Sequence, residues 1–261
     1  MTTAALPTRI AGVEVATLGE GLPVTVFAHG LGGSSVETRP LAMRTPGTRV
    51  LLTFRAHGAS AAIEGGWTYD DLATDLLEVA NAVDATGAVG LSLGAGALLR
   101  LVSSEPDRFD RLAFVLPAAL DESREDVATA RLLRLADAVI AGDEAHVVRM
   151  LLEDVPEQVR SRGGVRVLVD RRARQLLGSA PPYPRGSDAP LPDLHVLQAV
   201  SAPALVVGQR DDPLHPSSVA ERLAAALPAA ELLLLDQGGV FWTETRRAQD
   251  ALATHFTLES S

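Results

Sequence analysis

The chain carries several short groups of residues whose types and spacing could do chemistry. GLSLG, Gly90 to Gly94, follows an apolar run and precedes AGALLRLV. In a GxSxG pattern a strand turns sharply into a helix with the serine at the apex, and side chains two residues either side would collide, so glycine is needed there. Ser92 is therefore a candidate nucleophile, and its hydroxyl needs an adjacent base to accept its proton. FAHGLGGSS, Phe27 to Ser35, is a second group. A glycine-rich loop at the C-terminal end of a parallel strand can aim backbone N–H groups at a developing oxyanion, here together with the amide after Ser92. His29 in that loop and His57 in RAHGAS are imidazoles within reach of such a site, and each also reads as a packing or turn histidine. DDPLHP, residues 211 to 216, places two carboxylates and an imidazole in one short segment.

The remaining composition narrows the chemistry. Cysteine is absent and all 23 basic residues are arginine, which excludes thiolate catalysis, disulfides, Schiff bases and a lysine general base. The net charge of −10, with the arginines scattered along the chain, argues against a nucleic-acid partner. There is no P-loop, no GxGxxG after a strand and no histidine pair at metal-ligand spacing, so cofactor-free chemistry without a metal is expected. The N-terminal stretch lacks the pattern of a signal peptide and no uncharged apolar run is long enough to span a bilayer, so a cytoplasmic protein with no membrane partner is expected. Nothing in the sequence fixes the oligomeric state.

Elements to position these groups are legible in the hydropathy pattern. VTVFA at 24–28, RVLLTF at 49–54, residues 88–91, LAFVL at 112–116, ALVVG at 204–208 and ELLLL at 231–235 are short apolar runs of the kind that form buried parallel strands. Between them lie amphipathic stretches such as 69–83, where Leu72, Leu76, Val79, Ala80 and Val83 fall three or four apart. The alternation predicts an α/β fold, a doubly wound, mostly parallel sheet covered on both faces. Residues 122–196 break the rhythm and read as helical, with RVLV at 166 the one strand-like run, and the Pro- and Gly-rich segment 178–192 reads as a surface loop. The expected organisation is a core of 1–119 and 199–261 interrupted by a helical insertion at 120–198. Apolar stripes in ATARLLRLADAVI and HVVRMLLEDV would roof a cavity over Ser92 for a small apolar substrate bearing a carbonyl, with Arg55, Trp67 or Tyr183 at its mouth.

Taken together, HG at 29–30, FRAHGAS at 54–60, GLSLG, the helical insertion, PALVVGQRDDPLHP at 203 and LPAAELLLLDQGGVFW at 227 resemble the α/β-hydrolase fold family over nearly the whole chain. The resemblance implies Ser92 as nucleophile and the N–H groups of Leu31 and Leu93 as oxyanion donors. An ungapped match to the family's acid loop puts Asp212 at the acid position, while counting forward from Gly208 favours Asp211. The family's catalytic histidine belongs in a loop after the last strand, and Val240 stands there. The substitutes within reach of the sequence are His215, three residues after Asp212 in a position that also only shapes the loop, and His57, while His255 falls late in the final amphipathic stretch. Without an imidazole, Asp212 would face an apolar cavity beside Val240, and desolvation would raise its pKa and make it a base toward bound substrate. The leading expectation is accordingly a non-hydrolytic enzyme, a lyase, cyclase or isomerase. The alternatives are a serine esterase or thioesterase with a displaced base, and a binding protein that has lost catalysis.

Overall fold

A computed structural model describes residues 8–122, 127–178 and 189–257. The strands are β1 (Arg9–Ile10), β2 (Val13–Leu18), β3 (Val24–Ala28), β4 (Thr48–Thr53), β5 (Gly87–Leu91), β6 (Arg111–Val115), β7 (Ala204–Gln209) and β8 (Ala230–Leu235). They form one sheet in the order β1-β2-β4-β3-β5-β6-β7-β8, antiparallel at β1/β2/β4 and parallel from β4 onward. The six strands expected from apolar runs are all present, with ends shifted by one residue at most. β1 and β2 were missed, because an edge hairpin half open to solvent carries mixed burial rather than an apolar run.

Period-2 alternation along the strands divides the core in two. Val26, Ala28, Val50 and Leu52 face one side, where they pack with Leu72, Leu76 and Val79 of α2 (Tyr69–Ala82), Leu98 and Val102 of α3 (Leu93–Ser104), and Leu223 of α8 (Ser217–Ala226). Phe27, Leu51, Val89 and Val115 face the other, against Leu41 of α1 (Ser35–Ala42) and Ala248, Leu252 and Phe256 of α9 (Thr245–Phe256). This is the doubly wound arrangement expected. β5 lies between β3 and β6 with all five residues buried, so the turn that leaves it is held from both sides.

Between β6 and β7 the chain forms α4 (Val127–Ile140), α5 (Glu144–Glu153), α6 (Glu157–Arg160) and α7 (Val165–Leu177). Their apolar stripes meet in a separate cluster that includes Ala138, Val147, Val148, Val159, Val165, Val169, Ala173 and Leu176. The strand-like RVLV at 166 is corrected to the first turn of α7. Val165, Val169, Ala173 and Leu176 recur at helical spacing, and that period prevails over the β propensity of two valines. Of the proline-rich segment 178–192, residues 179–188 fall outside the described residues, as does Tyr183. No helix among the described residues is long and apolar enough to cross a membrane.

Candidate active site

Three strands deliver three loops to the C-terminal edge of the sheet: β3 leads into the HG loop, β5 into Ser92, and β7 into the acid loop. This edge, next to the helix N-termini, is where open α/β sheets place their ligands. Ser92 stands between β5 and α3 with φ 51° and ψ −107°, a left-handed conformation costly for a residue with a Cβ. The surroundings hold it there. Its amide donates to the Val115 carbonyl at 2.9 Å, and its carbonyl accepts from Gly96 at 3.1 Å. A Cβ at Gly90 would overlap the Gly94 backbone, and one at Gly94 would overlap the Ala28 carbonyl, so both glycines are sterically required.

The partner of Ser92 is His215. Ser92 Oγ lies 2.9 Å from His215 Nε2, and His215 Nδ1 lies 3.0 Å from Asp212 Oδ2. An ionised carboxylate can only accept, so Nδ1 carries the proton and Nε2 is free to accept from the Ser92 hydroxyl. The other carboxylate oxygen, Asp212 Oδ1, accepts from the amides of Leu214 at 2.8 Å and His215 at 3.1 Å. One side chain thus shapes the loop and orients the ring. Burial pushes the Asp212 carboxyl up, but the hydrogen bonds and charge of His215, with the two amides, outweigh it and leave the pKa below the ordinary carboxylate value.

Two expectations are corrected here. Asp212 does not face an apolar space without an imidazole, and its pKa is lowered rather than raised, because His215 from the same loop supplies the partner. Ser92 does not lack an imidazole partner for want of a histidine at 240. Val240 is fully buried in a π-helical turn, Gly239–Thr243, and belongs to the apolar cluster of Leu235, Ala248 and Leu252. The signal for His215 was in the sequence: an i, i+3 Asp–His pair in a turn lets the carboxylate reach the ring. Asp211 is exposed at φ 55° and hydrogen-bonds neither His215 nor Ser92.

The HG loop passes beside the serine, since a Cβ on Gly30 would stand 3.5 Å from Ser92 Cβ. His29 is fully buried; its Nε2 accepts from Phe54 N at 3.0 Å and its Nδ1 donates to the Gly30 carbonyl at 2.7 Å. The same carbonyl accepts from Gly33 N at 2.9 Å, and Gly30 N donates to Glu37 Oε2 at 2.8 Å. In a trans peptide N–H points opposite to C=O, so anchoring the Gly30 carbonyl aims the Leu31 N–H away from it. Neither the Leu31 nor the Leu93 amide has an acceptor among the described residues. These are two backbone donors without an acceptor, one on the residue after the serine and one in the loop that passes beside it.

His57 packs edge-on to His29 with ring centroids 4.9 Å apart and donates through Nδ1 to the Arg55 carbonyl at 3.1 Å. Burial pushes both histidines down to about 3, so both are neutral supports of the loops. The residues expected at the cavity mouth are otherwise engaged. Arg55 pairs with the fully buried Asp75 of α2, and Trp67 is 3% exposed against Tyr69. His255, on α9, packs edge-on against Phe256 with ring centroids 5.0 Å apart. Among the described residues there is no cluster of three or more His, Asp or Glu able to hold a metal.

This elbow, loop and sheet topology define an α/β-hydrolase. Residues 25–254 match the Alpha/beta hydrolase family, and the chain belongs to it. Two relatives carry the name "Putative carbamate hydrolase RutD". The one from Variovorax paradoxus is 30% identical over 223 residues, 82% of this chain and 83% of the relative. The one from Caulobacter segnis is 27% identical over 241 residues, 86% and 87% of the two chains. Among solved structures, naproxen esterase from Bacillus subtilis superposes with a TM-score of 0.77 at 18% identity, covering 96% of this chain and 89% of that one. A thermophilic esterase from Thermogutta terrifontis gives 0.73 at 20% identity, with 94% of each chain covered.

Proposed function

We propose that the protein is a cofactor-free serine hydrolase that cleaves a small ester or carbamate, with Ser92 as nucleophile, His215 as general base and Asp212 as its orienting acid. The observation that carries this reading is the run of two hydrogen bonds, 2.9 Å from Ser92 Oγ to His215 Nε2 and 3.0 Å from His215 Nδ1 to Asp212 Oδ2. Ser92 Oγ attacks the substrate carbonyl while His215 Nε2 takes its proton, and the carbonyl oxygen becomes an oxyanion facing the Leu31 and Leu93 N–H groups. Collapse expels the leaving group, which receives the proton from His215, and leaves an acyl or carbamoyl ester on Ser92. Water, deprotonated by His215, attacks that ester and frees the acid and the serine. Asp212 stays ionised throughout, consistent with its lowered pKa, and stabilises the imidazolium that forms.

The non-hydrolytic reading drew its support from a serine without a base, and the His215 contact removes that support. The carbamate class is suggested by the name the two relatives carry. The test is hydrolysis of p-nitrophenyl acetate and p-nitrophenyl carbamates, with fluorophosphonate labelling of the nucleophile. We expect turnover and labelling by the unaltered protein, and losses of at least about 10³-fold in Ser92→Ala and His215→Ala. Absence of both turnover and labelling, or full activity in His215→Ala, would overturn the reading.

A further inference from the structure

The loop carrying the Leu31 donor is gripped from two directions. From the core, His29 and Gly33 hold the Gly30 carbonyl and Glu37 holds the Gly30 amide. From the insertion, α7 reaches down with Arg172, whose Nη2 donates to the Leu31 carbonyl at 2.9 Å and whose Nη1 donates to the Gly32 carbonyl at 2.8 Å. Arg172 Nη2 also lies 3.3 Å from Glu37 Oε1, so one guanidinium ties together the two loop carbonyls and the carboxylate that caps Gly30. The neighbouring contacts reinforce this docking. Gln175 Nε2 donates to Ser34 Oγ at 2.8 Å, and Leu176 lies so close to Gly32, at φ +63°, that a Cβ there would overlap it.

The geometry points to Arg172 as a positioning residue for the oxyanion donor, which makes the reactive form of the HG loop depend on α7 being seated. The Gly30–Leu31 peptide is oriented by His29 on the carbonyl side. The next peptide, Leu31–Gly32, is oriented by Arg172, and fixing both neighbours of the Leu31 Cα removes the rotation that would swing its N–H off the oxyanion. A planar fork with several fixed donors suits this task, and a lysine ammonium reaches the same carbonyls without the fork. The kinetic side of this inference rests on the serine-hydrolase reading, whereas the loop-ordering side does not.

The experiment compares the unaltered protein with Arg172→Met and Arg172→Lys. It measures kcat and KM on p-nitrophenyl acetate, thermal midpoint, and backbone hydrogen exchange resolved to residues 29–34. For Arg172→Met we expect kcat to fall about 10- to 100-fold with KM changed less than about threefold, and exchange to accelerate at 29–34 while α5 and the sheet keep their protection. Arg172→Lys should recover part of both. Unchanged exchange at 29–34, or a kcat within about twofold of the unaltered protein, overturns the inference. So does a loss of activity accompanied by faster exchange throughout α4–α7, which marks a merely structural role. If the unaltered protein shows no Ser92-dependent hydrolysis, the hydrolase reading fails separately, and the exchange at 29–34 decides whether Arg172 orders the loop.

Discussion

At the scale of single residues, the adjacent carboxylates 211 and 212 give the sharpest contrast. Asp212 Oδ2 orients the His215 ring, so Asp212→Asn removes an acceptor and favours the wrong tautomer; kcat is expected to drop by about 10³- to 10⁴-fold. Asp211 is exposed at φ 55°, a conformation asparagine adopts readily, so Asp211→Asn should stay within about twofold in kcat. The reverse ranking in a steady-state assay would mean that the wrong carboxylate serves the ring. Val240 makes a second prediction. Because its side chain is fully buried among leucines and alanines, Val240→His inserts a polar ring where no partner waits. We expect a melting temperature lower by roughly 5–10 °C and no gain in esterase rate, and a higher rate would contradict the assignment of His215 as base. The turn at Ser92 was legible in the sequence because its flanking glycines are dictated by backbone geometry, whereas Asp212, with Asp211 as its alternative, and the Leu31 and Leu93 amides were reached only through the family resemblance. The role of His215 was harder to read, because the i, i+3 pair becomes informative only once the turn between them is known. The family's histidine loop after the last strand carries Val240 instead.

At the scale of elements, the strand–serine–helix turn is fixed by packing rather than by hydrogen bonds alone. Gly90→Ala or Gly94→Ala places a methyl group against backbone atoms that cannot move without shifting β3 or α3. Each is expected to destabilise the fold by about 2–4 kcal/mol, measurable as a shifted urea midpoint, and to lower fluorophosphonate labelling of Ser92 in whatever protein remains folded. Wild-type stability with wild-type labelling would show that the turn has slack. The six strands β3–β8 could be read before the structure from their continuous apolar runs, β8 included although it forms an edge of the sheet, and α2 from its helical period. The hairpin β1–β2 and the first turn of α7 could not. An edge strand shows one wet face, and a valine-rich stretch reveals its period only when it is placed against the residues it covers.

At the scale of the whole molecule, the buried histidines make stability depend on pH. His29 and His57 each titrate near 6.5 in an unfolded chain and are pushed down by burial to about 3 when folded. Between those values the unfolded chain binds protons that the folded protein refuses, so stability falls as pH falls from about 6.5 toward 3 and is flat with respect to these two groups above it. The slope is about 1.4 kcal/mol per pH unit for each histidine. Beyond burial, His29 and Arg172 lower the His57 pKa and the Arg55 carbonyl and Glu37 raise it, so these partners set how far down in pH the decline runs but not its slope or sign. Chemical denaturation at pH 7, 6, 5 and 4 tests this, and His57→Leu should reduce the slope by about 1.4 kcal/mol per pH unit relative to the unaltered protein. An unchanged slope in that variant would mean that His57 is protonated in the folded protein.

The joining of Asp212 and His215 within four residues has a consequence for how this chain can change. In the proposed hydrolase the base and the acid lie in one short segment, while Val240, after β8, is buried among apolar side chains. Substitutions there are filtered by volume and polarity rather than by chemistry, while a one-residue insertion or deletion between 212 and 215 would silence both groups at once.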